Sequence, residues 1–320
     1  MIKSAAARNA ARRDRVNGSP PAWLRQRERS NVLALRVLTW VALQLGRPVA
    51  RALLVPICFY YLVFSLKARA ASCNYLSRVL GRKARVSEVF RHYWTFAAVA
   101  LDRVFLLSGR TDLFEIRVHG DEVLAATIAA GQGGLLIGAH LGSFELPRAV
   151  GRQQQLHVNL LMFEDNARKM AHMSKAVDPT LAAAVIALGQ SDSMLRVRDC
   201  IERGEWLGML GDRALQDDER VEVSFIGAPA SFPSASFRLA SMLQRPVFLM
   251  VGLYRGGNRY DLHFERMDDP WARSRSERDA AMRAWLQHYA ARLETYCRQA
   301  PYNWFNFYDY WGKRTDAAQR

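Results

Sequence analysis

Apolar residues change their period along this chain. Up to about residue 110 they fall in long stretches with helical spacing, and from Leu113 onward short apolar runs alternate with amphipathic stretches. Residues 31–46 read as an apolar helix carrying one charge, Arg36, with Pro48 following as expected after a helix end. Residues 52–66 are uncharged. As a helix they would reach only about 22 Å, short of the roughly 30 Å core of a bilayer. Between residues 71 and 108, Tyr75, Val79 and Leu80 line one helical stripe, and Val86, Phe90, Tyr93, Trp94 and Ala97 line another. The basic turn Gly81-Arg-Lys-Ala-Arg85 separates them. Aromatic residues in such stripes are read as core.

Beyond residue 110 the pattern predicts strands near 113–118, 134–139, 157–163, 183–187, 206–211, 221–226, 247–254 and 259–266. Helices are expected near 121–130, 143–152, 166–176, 191–203, 234–244 and 276–298. This alternation points to an α/β fold with a central mixed, mostly parallel sheet flanked by helices. An N-terminal membrane-associated helical module precedes it. The expected boundaries are a basic, disordered tail at 1–30, the helical module at 31–110, one α/β domain at 111–311 and a short tail at 312–320.

With 320 residues and 50% hydrophobic composition, the chain can bury a sizeable core. Its net charge of +15 is unevenly placed, because residues 1–91 hold 18 Lys and Arg against 3 Asp and Glu while the remainder holds 27 of each. The excess surrounds apolar helices and no recognition motif for nucleic acid, so an anionic membrane surface is the expected partner. Arg47 and Arg51 precede the 52–66 run while Lys67 and Arg69 follow it, so the charge asymmetry that orients a spanning helix is missing. A monotopic helix lying in the cytoplasmic leaflet is expected, with a buried helix of a soluble domain as the alternative. The first 30 residues are too polar for a secretory signal, although their Arg-rich composition also suits an organellar transit peptide. Cys58, Cys73, Cys200 and Cys297 have no paired spacing, which implies a reducing compartment and neither disulfides nor a zinc site.

Candidate chemistry centres on Gly134-Leu-Leu-Ile-Gly-Ala-His140-Leu-Gly-Ser-Phe-Glu145. An apolar strand, a glycine turn and the opening of a helix would put His140 at a strand end, where α/β proteins keep their reactive groups. Glu145, on the first helical turn, would reach back to fix the imidazole tautomer and leave the other nitrogen to take a proton from a hydroxyl. The amides of Leu141, Gly142 and Ser143 are candidates to face developing negative charge. A structural histidine bonded to a helix cap is the plainer reading. His263 and Asp268 share the spacing, yet His263 sits in an alternating run as an outward strand position. Gly131-Gln-Gly-Gly134 precedes its strand, the wrong side for a phosphate-cradling turn, and no Gly-x-Ser-x-Gly elbow exists. Arg168 with Lys169 follows the third strand and Asp212-Arg213 ends the fifth. In a parallel sheet these converge on the edge carrying His140, where a guanidinium can hold a phosphate or carboxylate.

The His-x4-Glu pair after an apolar strand resembles the signature of the lysophospholipid acyltransferase superfamily, in particular the branch of the bacterial lipid A late acyltransferases. Further blocks agree in order: Phe163-Glu-Asp-Asn-Ala-Arg168-Lys169, Trp206-Leu-Gly-Met-Leu-Gly-Asp212-Arg213, Phe225-Ile-Gly-Ala-Pro-Ala-Ser-Phe-Pro233, Phe237-Arg-Leu-Ala240 and Arg245-Pro-Val-Phe-Leu. The resemblance spans roughly residues 25–311. It implies an acyltransferase in which His140 is the general base and Glu145 orients it, with Gly142, Ser143, Arg168, Asp212 and Arg213 binding substrate. The donor would be an acyl carrier protein or coenzyme A thioester, the acceptor a membrane lipid or its precursor, and no metal or redox cofactor is needed.

Gly211-Asp-Arg-Ala-Leu-Gln stands where the glycerophospholipid branch carries Glu-Gly-Thr-Arg, which argues against a glycerol phosphate acceptor. Ser231-Phe-Pro-Ser-Ala-Ser-Phe-Arg resembles the lipid A branch, with a role in shaping the acyl pocket. The aromatic tail Pro301-Tyr-Asn-Trp-Phe-Asn-Phe-Tyr-Asp-Tyr-Trp311 is expected to close the core, since Asn303, Asn306 and Asp309 alternate with the rings. The expected location is the cytoplasmic face of a bacterial inner membrane. Two other classes stand beside the enzyme: an inactive, membrane-docked scaffold of the same fold, and a nucleic-acid binder. The intact His140/Glu145 pair argues against the first, and the neutral remainder of the chain against the second.

Overall fold

The computed structural model describes residues 32–147, 151, 157–163, 184–213, 218–267 and 277–312. The N-terminal helices are α1 (Val32–Phe64), α2 (Leu66–Leu80) and α3 (Val86–Leu107). They are followed by β1 (Glu115–His119), α4 (Asp121–Ala129), β2 (Leu135–Gly138), β3 (Val158–Phe163), β4 (Val185–Leu188), α5 (Ser193–Glu202) and β5 (Trp206–Leu210). Then come β6 (Arg220–Phe225), β7 (Ala228–Pro233), α6 (Ala235–Leu243), β8 (Val247–Gly256), β9 (Arg259–Met267) and α7 (Arg278–Gln299). The helix expected at 166–176 lies outside the described residues.

Among the described residues the main sheet has seven strands in the order β1-β9-β8-β2-β5-β3-β4. β8, β2, β5, β3 and β4 run parallel, β9 is antiparallel to β8, and β1 is parallel to β9. The mixed, mostly parallel expectation holds. The 221–226 run, however, leaves this sheet and pairs with β7 as a separate antiparallel hairpin. Two prolines in Ala228-Pro-Ala-Ser-Phe-Pro233 hid β7 from the pattern, because proline demotes an apolar run as a strand candidate.

Each face of the sheet has its own helical layer. Ile137, Leu207, Leu249 and Val251 share one core with Trp285, Leu286, Tyr289 and Leu293 of α7. Leu136, Phe248, Leu262 and Phe264 share the other with Ala50 and Leu54 of α1 and Ala98 and Phe105 of α3. The N-terminal helices therefore complete the α/β core. Asp102 of α3, fully buried, fastens them: Arg47 of α1 donates two hydrogen bonds to its carboxylate at 2.7 and 2.8 Å, and the Tyr260 hydroxyl of β9 donates another at 2.8 Å.

α1 corrects one expectation. The chain breaks helical geometry only at Gly46 (φ 80, ψ 172), which glycine adopts without a Cβ penalty, and Pro48 opens the next helical segment where its missing N–H costs nothing. The helix then continues through Pro56, so the apolar stretch runs from Thr39 to Phe64, 26 residues. The break at Gly46 divides that stretch, and the unbroken helix from Arg47 to Phe64 is about 27 Å long, more than residues 52–66 give but still short of the roughly 30 Å core of a bilayer.

A buried histidine ties the helices to the C-terminal segment. His92 of α3 is fully buried, with Nδ1 2.8 Å from the Ser72 hydroxyl and Nε2 2.9 Å from the Trp304 carbonyl. A carbonyl only accepts, so Nε2 carries the proton and Nδ1 accepts from Ser72. Burial pushes the His92 pKa down to about 4, against the weaker opposing pull of the Trp304 carbonyl. The folded value lies below the ordinary one, so this contribution to stability is complete above about pH 6.5 and is lost as pH falls through the interval towards 4. Lowering the pH from about 7 to about 5 should cost about 2 kcal/mol through His92. Denaturant melts across that range should show the loss, and His92→Gln should flatten it; an unchanged slope in the variant would contradict this role.

Candidate active site

The site is built by strand register. β2 pairs with β5 so that Gly138 lies beside Leu210, and the pairing extends through the Gly211 amide, which donates to the Gly138 carbonyl at 2.9 Å. Two residues beyond each strand stand His140 and Asp212. Register alone makes them neighbours. The His140 ring Nδ1 is 2.8 Å from Asp212 Oδ1, and the His140 amide donates to Oδ2 at 3.0 Å.

Asp212 is 1% exposed, and among the described residues its charge partners are His140 and Arg213, so its desolvation has to be met locally. Oδ2 also accepts from Asn306 Nδ2 at 3.0 Å and from the Trp304 indole at 3.3 Å. Burial by itself would raise the Asp212 pKa, but His140, Arg213 and Asn306 together hold it well below the usual carboxylate range. An ionised Asp212 can only accept, so Nδ1 of His140 carries the proton and Nε2 presents a lone pair. The His140 side chain is 24% exposed, and Nε2 has no hydrogen-bond partner among the described residues. Burial lowers the His140 pKa, Arg213 lowers it further, and Asp212 opposes both. The imidazole is thus a neutral base at neutral pH, already in the tautomer that base chemistry requires.

The backbone around His140 is clamped on both sides. The His140 carbonyl accepts from the Phe305 amide at 2.7 Å, and the Gly142 amide donates to the Asn303 carbonyl at 2.8 Å. The Ser143 amide donates to the Gly252 carbonyl of β8 at 2.7 Å. Gly142 has a positive φ of 66°, and a Cβ there would stand 1.9 Å from the Gly252 carbonyl oxygen. Both the conformation and the contact demand glycine.

These bonds correct the expected roles of Gly142 and Ser143. Their amides are bonded to the Asn303 and Gly252 carbonyls in holding the loop, and the Ser143 side chain is buried. Glu145 also differs from expectation. It sits in a turn before the first helical residues, Leu146 and Pro147, and is 3% exposed. Its Oε1 lies 2.8 Å from Arg103 of α3 as an ion pair whose angle falls short of a hydrogen bond. Arg103 also stacks on Phe144, 5.0 Å from its ring centre. The imidazole nitrogen that Glu145 was expected to hold is held by Asp212.

Arg213 was expected to face a headgroup. It donates through Nε to Asn306 Oδ1 and through a terminal nitrogen to the Phe305 carbonyl, both at 2.7 Å. Much of its hydrogen-bonding capacity goes to the C-terminal segment. Arg168 lies outside the described residues. Sequence reasoning placed Asp212 on the right edge but gave it to substrate, and it missed the supporting parts of Asn303, Trp304 and Asn306. Regularly spaced asparagines within an aromatic tail were the available signal, since a buried amide needs partners. Asn303 bears this out: its side chain bonds both the amide and the carbonyl of Tyr254, at 2.7 and 3.2 Å.

The arrangement suits proton abstraction from a hydroxyl or amine beside a buried carboxylate. No curated protein matches the chain. The sequence pattern of one family, described as bacterial lipid A biosynthesis acyltransferase, matches residues 27–313, which takes in the helices, the sheet and the aromatic tail. The chain belongs to this family of acyltransferase enzymes.

Proposed function

We propose that the protein moves a fatty acyl group from an acyl thioester of acyl carrier protein or coenzyme A to a hydroxyl or amine of a membrane lipid or lipid precursor. His140 Nε2 takes the acceptor proton as the acceptor oxygen or nitrogen attacks the thioester carbonyl. The tetrahedral adduct collapses with loss of the C–S bond, and the departing thiolate receives the proton from Nε2. The products are the acylated lipid and a free thiol, so protons balance and the chemistry needs no metal or redox cofactor.

The observation that carries this reading is the buried Asp212 fixing Nδ1 of His140. Asp212 takes the orienting role, holding the tautomer and stabilising the imidazolium that forms. Glu145 and Arg103 form an ion pair beside the same loop. An inactive scaffold would have no need of this tautomer control.

The family is membrane-associated, and the helix surface supports docking on a bilayer. Ala50, Leu54, Cys58 and Leu62 of α1 form the stripe packed on the domain, whereas Trp40, Val55, Phe59, Tyr60, Val63 and Phe64 are exposed, Phe59 to 60%. A helix fixed to the domain along one stripe and by Arg47 lies naturally in one leaflet with its free face in the lipid. We place it on the cytoplasmic face of a bacterial inner membrane, where thioester donors are found.

Purified protein in anionic vesicles should consume acyl thioester and yield acylated lipid by mass spectrometry. His140→Ala should lower the rate about 10²- to 10⁴-fold while circular dichroism shows a folded protein. Asp212→Asn should cost a similar factor and move the acidic limb of the kcat/KM profile to lower pH, because a group that raises the His140 pKa is gone. Glu145→Gln should leave that limb in place. A limb that moves with Glu145 and ignores Asp212 would reverse the assignment. Separately, Phe59→Asp with Phe64→Asp should release the protein from anionic vesicles in co-sedimentation; undiminished binding would show that α1 is not the docking face.

A further inference from the structure

A second cluster of side chains lies on β1 and β9 at one side of the sheet, three and two strand positions from β2 and outside the site described above. His119, the last residue of β1, pairs in register with His263 of β9, and Asp261 lies two residues earlier on the same strand. The side-chain period of a strand puts all three on one face. One nitrogen of each imidazole and one carboxylate oxygen lie within 4.8 Å of one another.

Three details separate this cluster from an ordinary polar surface. His119 Nε2 faces Asp261 Oδ1 at 4.0 Å, too far for a hydrogen bond, while Oδ2 of the same carboxylate is held by Arg255 Nε at 2.7 Å. One oxygen is thereby oriented from behind and the other is directed at the imidazoles, the arrangement in which an outer partner fixes a metal-binding carboxylate. The His119 and His263 rings are nearly parallel, 11° apart with centres at 4.5 Å, so the ring pair is held by two hydrogen-bonded strands. Finally, His263 Nε2 is buried and has no hydrogen-bond partner among the described residues. A buried polar atom left without a partner is costly, and a metal ion would relieve that cost.

We propose that His119, Asp261 and His263 bind one divalent transition-metal ion of the zinc class. Two imidazoles and one carboxylate suit zinc and its neighbours, whereas magnesium and calcium require oxygen ligands. Ligand atoms around one such ion, at bonds of about 2.0–2.2 Å, stand roughly 3–4 Å apart. The cluster reaches this spacing when the His119 ring, 49% exposed, swings inward. The bound ion joins edge strand β1 to β9 and covers a sheet margin otherwise open to pairing. This site is independent of the acyl-transfer reading.

The test is zinc chloride titration of the full-length, tag-free protein by calorimetry, alongside thermal melts. One ion per chain should bind and raise Tm, excess magnesium should not compete, and His119→Ala or Asp261→Asn should weaken binding by about 10- to 100-fold. His119 is half exposed at a strand end, so its alanine variant should melt like the metal-free wild type. Absence of binding, or equal affinity in wild type and both variants, would overturn the site.

Discussion

The structure depends on the ionised Asp212 carboxylate being kept out of water. Removing a carboxylate from solvent is expensive, and the fold meets the cost with donors from three places: the His140 ring and amide, the Trp304 indole and the Asn306 amide. Those donors come from the end of β2 and from a tail about 160 residues further along the chain. Strand register brings the first, and the aromatic packing of the tail brings the second. The Tyr310 hydroxyl adds a bond to the Asp212 carbonyl at 3.0 Å, and Trp304 packs against Tyr75, Phe225 and Tyr310. The tail therefore acts as the wall that makes the carboxylate's surroundings dry, and dryness is what gives the His140 tautomer its definition.

The same logic links the site to the helices. Trp304 offers its indole to Asp212 and its carbonyl to His92, so α3 and the reactive loop hold opposite ends of one residue. Arg103, on the same helix, reaches Glu145. Under the proposed function, the helix layer that would dock on lipid is mechanically continuous with the groups that would act on lipid, and a site on a membrane surface needs that continuity if the acceptor is to be presented in one orientation.

Much of the fold was legible because period is a local signal. Every strand expected from an apolar run falls close to its place, from Leu135–Gly138 to Arg259–Met267, and the mixed sheet follows from their alternation with helices. Non-local facts were harder to read. Which strand neighbours β2 decides that Asp212 and not Glu145 meets the imidazole, and no spacing within the sequence encodes that neighbour. The amides of Gly142 and Ser143 were misjudged for a related reason. Glycine suggests an open turn, but here the absent side chains let two backbones touch, and the amides go to Asn303 and Gly252. The helical segment after Gly46 was started too late, at residue 52, because Pro48 can open a helical segment as readily as follow one.

Asp212 holds His140 as the neutral tautomer protonated at Nδ1, with Nε2 open to accept a proton. Nitrogen-15 NMR of histidine-labelled protein near neutral pH measures this directly, with His140 assigned by its disappearance in His140→Gln. In the wild type Nδ1 is expected to be protonated and Nε2 unprotonated, with a change to the opposite or mixed tautomer in Asp212→Asn. A His140 protonated at Nε2 in the wild type, or one whose tautomer ignores Asp212, would contradict it.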